Sequence, residues 1–180
     1  MDASAVDRLR AALSGTGWVE RAVGLARSLR GAGHDPGGLL LVGTPDDEPW
    51  HLAAHLDDQA RYAGLPELRP TLVRYAPPPG APPHLAVGLD RLTAVARGET
   101  VFVVAPEAPP ERLLEQVADA RRGGATVLAL DGSESTDLTD LAHDALVVPG
   151  SAGAPSIDVM GHLLSDAAGE RVRRRLLWRR

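Results

Sequence analysis

The sequence predicts an α/β domain of three layers, α/β/α, in which helices cover both faces of a doubly wound, five-stranded parallel sheet. Three observations carry the prediction. Five short apolar runs lack polar alternation, as strands buried on both faces do. Segments with helical spacing lie between those runs. The 180-residue chain is 44% hydrophobic but only 3% aromatic, so its core must be built from Leu, Val and Ala, which suits helix packed on sheet.

The five runs are Leu39-Leu40-Leu41-Val42, Thr71-Leu72-Val73-Arg74-Tyr75, Val101-Phe102-Val103-Val104, Thr126-Val127-Leu128-Ala129-Leu130 and Ala145-Leu146-Val147-Val148. Helices are expected over 50–62, over 85–97 with Leu85, Leu89, Leu92 and Val95 on one face, and over 110–122 with Leu113, Val117 and Ala120 inward. Pro110 suits a first helical position and Gly123-Gly124 a helix stop. Two further helices, 3–13 and 18–30, precede the sheet, separated by Gly15-Thr16-Gly17. A long one over 157–178 follows it, with Met160, Leu164, Ala168, Val172 and Leu176 in a stripe. The terminal helices must cover the sheet or a second subunit, and the length of the last favours a subunit contact. The chain is read as one domain: N-terminal helices over 1–36, a sheet core over 37–150, and a C-terminal helix over 155–180. The proline-rich stretch 76–83 is expected to be a stiff extended connector.

Composition excludes several classes of function. The absence of cysteine removes disulfides, thiolate metal sites and cysteine nucleophiles. A net charge of -5 argues against general nucleic-acid binding. No apolar run reaches the length of a signal peptide or a bilayer span, so a cytoplasmic location is expected. The last segment gathers Arg171, Arg173, Arg174, Arg175, Arg179 and Arg180 around Trp178. That tail either docks on an acidic partner, an anionic membrane or RNA, or complements the helix dipole and the protein's own acidic surface.

His51 and His55 stand four apart on an expected helix, on one face, with Asp58 and Gln59 about a turn further on. The spacing suits a divalent metal held by imidazole and carboxylate. It also suits helix histidines that only make hydrogen bonds.

In order and length, the stretch 101–149 resembles the second half of a sugar isomerase (SIS) domain. It runs strand, loop, a helix ending in Arg121-Arg122-Gly123-Gly124-Ala125, a strand, the acidic loop Asp131-Gly132-Ser133-Glu134-Ser135-Thr136-Asp137, a short helix over 137–144, a strand and Val148-Pro149. His51-Leu52-Ala53-Ala54-His55-Leu56 and Gly161-His162-Leu163-Leu164-Ser165-Asp166 are similar to the phosphoheptose isomerase branch of that family. The resemblance implies a flavodoxin-like sheet, assembly into a homodimer or homotetramer, and a phosphosugar site at the carboxyl ends of the strands, where ligands of open α/β sheets bind.

In the family, loops after the first and third strands hold phosphate with hydroxyls and backbone amides. Here the second of these reads Ala105-Pro106-Glu107-Ala108-Pro109-Pro110, with no hydroxyl, three prolines that lack N–H donors, and one carboxylate. The first, Gly43-Thr44-Pro45-Asp46-Asp47-Glu48-Pro49, keeps a single hydroxyl. Thr44, Asp46, Glu107, Ser133 and Ser135 are therefore the expected ligand contacts, with Ser135 or Thr136 also suited to cap the following helix.

The branch further implies a metal-binding histidine at His51, a histidine at His162, and an active-site glutamate where this chain has His55. On that basis His51, His55 and His162 are the expected ligands of zinc or another divalent metal. His55 or Glu48 is the expected general base, with Asp58 an alternative. The function expected is that of a divergent SIS-domain protein that binds a carbohydrate derivative or phosphosugar, with weak or no isomerase activity. The alternatives are a metal-dependent sugar-phosphate isomerase and a non-catalytic regulatory or scaffolding oligomer.

Overall fold

The computed structural model describes residues 3–32, 35–133 and 135–177. Two helices, α1 (Ala3–Ala12) and α2 (Trp18–Ala32), lead into strand β1 (Leu39–Val42). There follow α3 (Trp50–Ala63), β2 (Pro70–Val73), α4 (Asp90–Thr93), β3 (Thr100–Ala105), α5 (Glu111–Gly123), β4 (Thr126–Asp131), α6 (Asp137–Leu141), β5 (Asp144–Val147) and α7 (Ile157–Leu177). The strands form one all-parallel, five-stranded sheet in the order β2-β1-β3-β4-β5. This is the α/β architecture the apolar runs predict.

Both faces of the sheet are buried, which is why the strands read as unbroken apolar runs. Along each strand alternate residues enter two separate cores. Leu39, Leu41, Phe102, Val104, Leu128 and Leu130 pack against α1, α2, α3 and α7. Leu40, Val42, Val101, Val103, Val127 and Ala129 pack against α4, α5 and α6.

Two expectations need correction. The helix over 85–97 is a short 3-10 turn at Pro83–Leu85 and then the single turn α4. The backbone between them is committed to the sheet edge: the Arg74 N–H donates to the Val87 carbonyl at 2.8 Å, and Gly88 bridges to Arg74. Leu89 and Leu92 nevertheless reach the core. The second concerns α7, whose stripe residues Met160, Leu164 and Ala168 are fully buried against the chain's own α2 and α3, so this part of the stripe covers the domain's own core. The side chains of Val172, Leu176 and Arg171 to Arg175, and all of Trp178, Arg179 and Arg180, lie outside the described residues.

Candidate functional site

At the end of β1 the chain turns on Gly43. A Cβ there would stand 2.1 Å from the Asp47 carbonyl oxygen and 2.6 Å from Pro49 Cδ, so no larger residue fits. The Thr44 N–H donates to the Asp47 carbonyl at 3.0 Å and closes the loop, which carries Asp47 and Glu48 directly into the first turn of α3. His51 and His55 follow on one face of that helix. Across from them the first turns of α7 bear Asp158 and His162, again four apart, with the Ser156 hydroxyl accepting the Val159 N–H at 3.3 Å at the start of the helix.

Between the two helices lies a cavity of about 270 Å³, lined by Asp47, Glu48, Trp50, His51, His55, Asp158 and His162, with Val104 of β3 and Leu130 of β4 at its base. It sits at the carboxyl ends of the strands, beside the point where the strand order reverses between β1 and β3, the location at which open α/β sheets bind ligands. The rings of His55 and His162 meet edge to face with centroids 4.5 Å apart.

Burial, with His51 nearby, holds the imidazole of His55 below its ordinary value of 6.5. Burial and then the facing His55 ring do the same to His162. Both are neutral at pH 7, each offering one donor and one acceptor. The Asp47 side chain reaches solvent, yet shielding by its loop and then the Asp158 carboxylate raise its affinity for a proton. Glu48 is engaged on both oxygens: Arg74 Nε donates to them at 2.9 and 3.0 Å, and the Trp50 indole N–H donates at 2.7 Å. The Arg74 guanidinium also lies 5.2 Å from the centroid of the Trp50 ring, so Arg74, itself outside the lining, braces the two lining side chains Glu48 and Trp50.

The structure thus brings together His51, His55, His162 and Glu48. The other expected contacts do not line the cavity. Thr44 is buried in its turn, and Asp46 and Glu107 are exposed on their loops. The Ser133 N–H donates to Asp131 Oδ1 at 2.8 Å and its hydroxyl to the Ser135 carbonyl at 3.3 Å. The Ser135 hydroxyl accepts the Asp137 N–H at 3.2 Å and donates to Asp137 Oδ2 at 2.7 Å, while Thr136, at the N-cap of α6, makes no side-chain capping bond. Asp47 and Asp158 are the site residues that sequence reasoning missed. The signal for Asp158 was its position four before His162, the same spacing as His51 to His55.

The three histidines expected as zinc ligands line one cavity. Among the described residues no group of three His, Cys, Asp or Glu side chains is arranged to hold a metal ion. The imidazoles of His55 and His162 are packed on each other instead. Among the described residues no helix is long and apolar enough to cross a membrane.

No family model matches the chain, and no curated protein matches it in sequence. Solved structures do share its fold. The sugar isomerase domain of an RpiR transcription factor from Sphaerobacter thermophilus is 19% identical with a TM-score of 0.53, over 86% of this chain and 82% of that one. A protein described as sugar-binding, from Salmonella typhimurium, is 17% identical with a TM-score of 0.55, over 97% of this chain and 51% of that one. The NanR protein of Vibrio vulnificus, solved with ManNAc-6P, is 14% identical with a TM-score of 0.53, over 86% of this chain and 55% of that one. The chain spans about half the length of the last two.

Proposed function

We propose that this domain binds a small carbohydrate derivative in the cavity between the first turns of α3 and α7 and does not isomerise it. The observation that carries the reading is the cavity itself. It lies beside the reversal of strand order and is walled by imidazoles, carboxylates and an indole over an apolar base, the mix of acceptors, donors and flat apolar surface that a polyhydroxylated ring requires. Structures with the same fold carry names that specify a sugar isomerase domain, a sugar-binding protein and a complex with ManNAc-6P, which supports the reading.

Isomerase chemistry needs a base free to take a proton from substrate carbon. Glu48 has both oxygens engaged by Arg74 and Trp50, which favours a wall role for it. The loop after β3 has lost the hydroxyls with which the family holds phosphate, and its Glu107 is exposed. A ligand-sensing or regulatory domain fits these features better than an enzyme.

Titration calorimetry with a panel of aldohexoses, their 2-amino derivatives and their 6-phosphates tests the proposal, with NMR of the sugar after prolonged incubation. Saturable binding, weakened about 10-fold by His162→Ala through loss of a hydrogen bond and ring contact, is the expected result, with no isomerised sugar. Turnover, or silence across the whole panel, would overturn it.

A further inference from the structure

We propose that the free edge of β5 docks a second copy of this chain, the two β5 strands pairing antiparallel across a two-fold axis at Ala145 to make one continuous sheet.

The two edges of the sheet are built differently. At the far edge, β2 opens on Pro70, which has no N–H to offer, and just beyond its end Arg74 is taken up by Val87 and Gly88. β5 has neither protection, and among the described residues it pairs with β4 alone. The His143 N–H donates to the Val127 carbonyl at 2.7 Å. The backbone groups of His143 and Ala145 therefore face β4, and those of Asp144 and Leu146 point outward. Beside that edge lies a groove of about 410 Å³, bordered by Arg21, Gly24 and Leu25 of α2. Val147, at the end of the strand, is 39% exposed, although most large apolar side chains of the chain are covered.

A row of unpaired donors and acceptors is a template for another strand. The charges beside this one select a second copy, because they are self-complementary. α2 packs on the sheet and leads directly into β1, so it runs opposite to the strands. The Ser28 hydroxyl donates to Asp144 Oδ2 at the start of β5. Arg21, two turns earlier on α2, is thereby placed about 10 Å nearer the carboxyl end of β5. From Asp144 to Val147 the strand itself covers about 10 Å. Arg21 is exposed, lies over the Trp18 ring at 4.8 Å, and makes no ion pair among the described residues. An axis at Ala145 sets Asp144 opposite Leu146 of the second copy, where the two outward-facing residues exchange a pair of backbone hydrogen bonds, and symmetry repeats the pair. In that register Asp144 of each copy approaches Arg21 of the other, and Val147 is covered by the other's His143. An unrelated peptide gains no such pairing.

Sedimentation velocity of the full chain over a range of concentrations measures the association. The expected result is a monomer–dimer equilibrium whose Kd rises at least about 10-fold in Arg21→Glu and in Asp144→Arg, and falls back toward wild type in the double variant. The register has its own test. The chain has no cysteine, so Ala145→Cys introduces a sole thiol. Directly facing residues of an antiparallel pair have Cα atoms about 4.5–5.5 Å apart, within disulfide reach, so mild oxidation should yield a covalent dimer. Val147→Cys, set well away from its own symmetry mate, should not cross-link. A monomer at every concentration overturns the proposal, as does a dimer indifferent to Arg21→Glu. Failure of Ala145→Cys to cross-link, or equal cross-linking by Val147→Cys, overturns it too. Arg21 is exposed on a helix and the cysteine variants change no charge, so these readouts decide the matter even if Asp144→Arg does not fold.

Discussion

The imidazole of His55, on α3, and that of His162, on α7, form an edge-to-face pair at an interplanar angle of 69°. The contact ties the helix that follows the first strand to the last helix of the chain. Because each ring is partly buried and faces the other, a proton on one makes a proton on its neighbour harder to hold.

A dependence of stability on pH follows. Both groups bind protons less tightly in the folded chain than at their ordinary value of 6.5, so the unfolded chain takes up more protons once the pH drops below that value. The stabilisation is complete above 6.5 and is lost as the pH falls through the folded values. Melting temperature should be flat from about pH 8 to 7 and decline between about 6.5 and 5, ahead of the carboxylate range. Replacing both rings by Phe should flatten that decline. NMR titration of the two histidines checks the cause directly, and a midpoint at or above 6.5 for either ring would contradict it.

Substituting Gly43 should damage fold and site together. Alanine there meets backbone, not the flexible end of a side chain, so the loop must open and the bond from Thr44 to Asp47 must break. Gly43→Ala is expected to cost about 1–3 kcal/mol, read by urea denaturation, and to abolish ligand binding at temperatures where the variant is still folded.

The brace that Arg74 gives Glu48 and Trp50 provides a third test. Arg74→Ala leaves the Glu48 carboxylate with only the indole N–H and removes the cation from the Trp50 ring. A loss of about 1–2 kcal/mol is expected, together with a change in Trp50 fluorescence, since the ring loses its cover. Arg74→Lys should recover only part of either, because an ammonium lacks the planar face that stacks on an indole. Full recovery would show that charge alone mattered.

Asp47→Asn removes one of two facing like charges and so is expected to stabilise the unliganded protein, raising its melting temperature by about 1–3 °C at low salt. The gain should shrink at high ionic strength. A fall in melting temperature would show that Asp47 has a stabilising partner.

How much of this was written in the sequence varies from element to element. The strands were legible because both faces of the sheet are covered, so 39–42 and 101–104 stay apolar without alternation. The helix over 85–97 was not, because apolar spacing reports which residues face a core and not whether the backbone is free. Here the Val87 carbonyl and Gly88 are taken up by the strand edge at Arg74. In the site, helical spacing placed His51 beside His55, and the resemblance to the sugar isomerase family supplied His162. Spacing did not reveal that Asp47 and Asp158 line one cavity, because that juxtaposition is made by the crossing of elements far apart in the chain. The hydroxyls of Ser133 and Ser135 were chosen by residue type as ligand contacts, and the local backbone had first use of them.

The proline-rich connector bears on how fast a ligand would be captured. It folds back so that Val87 and Gly88 lie beside Arg74, with Gly88 close against the Pro77 ring, and Arg74 is the residue that braces Glu48 and Trp50. Pro77, Pro78, Pro79, Pro82 and Pro83 each have a fixed φ, so most of the ordering of this brace is set by the covalent chain before any ligand arrives. Little freedom remains to be surrendered at the moment of binding, and encounter should be limited by diffusion and orientation rather than by assembly of the wall.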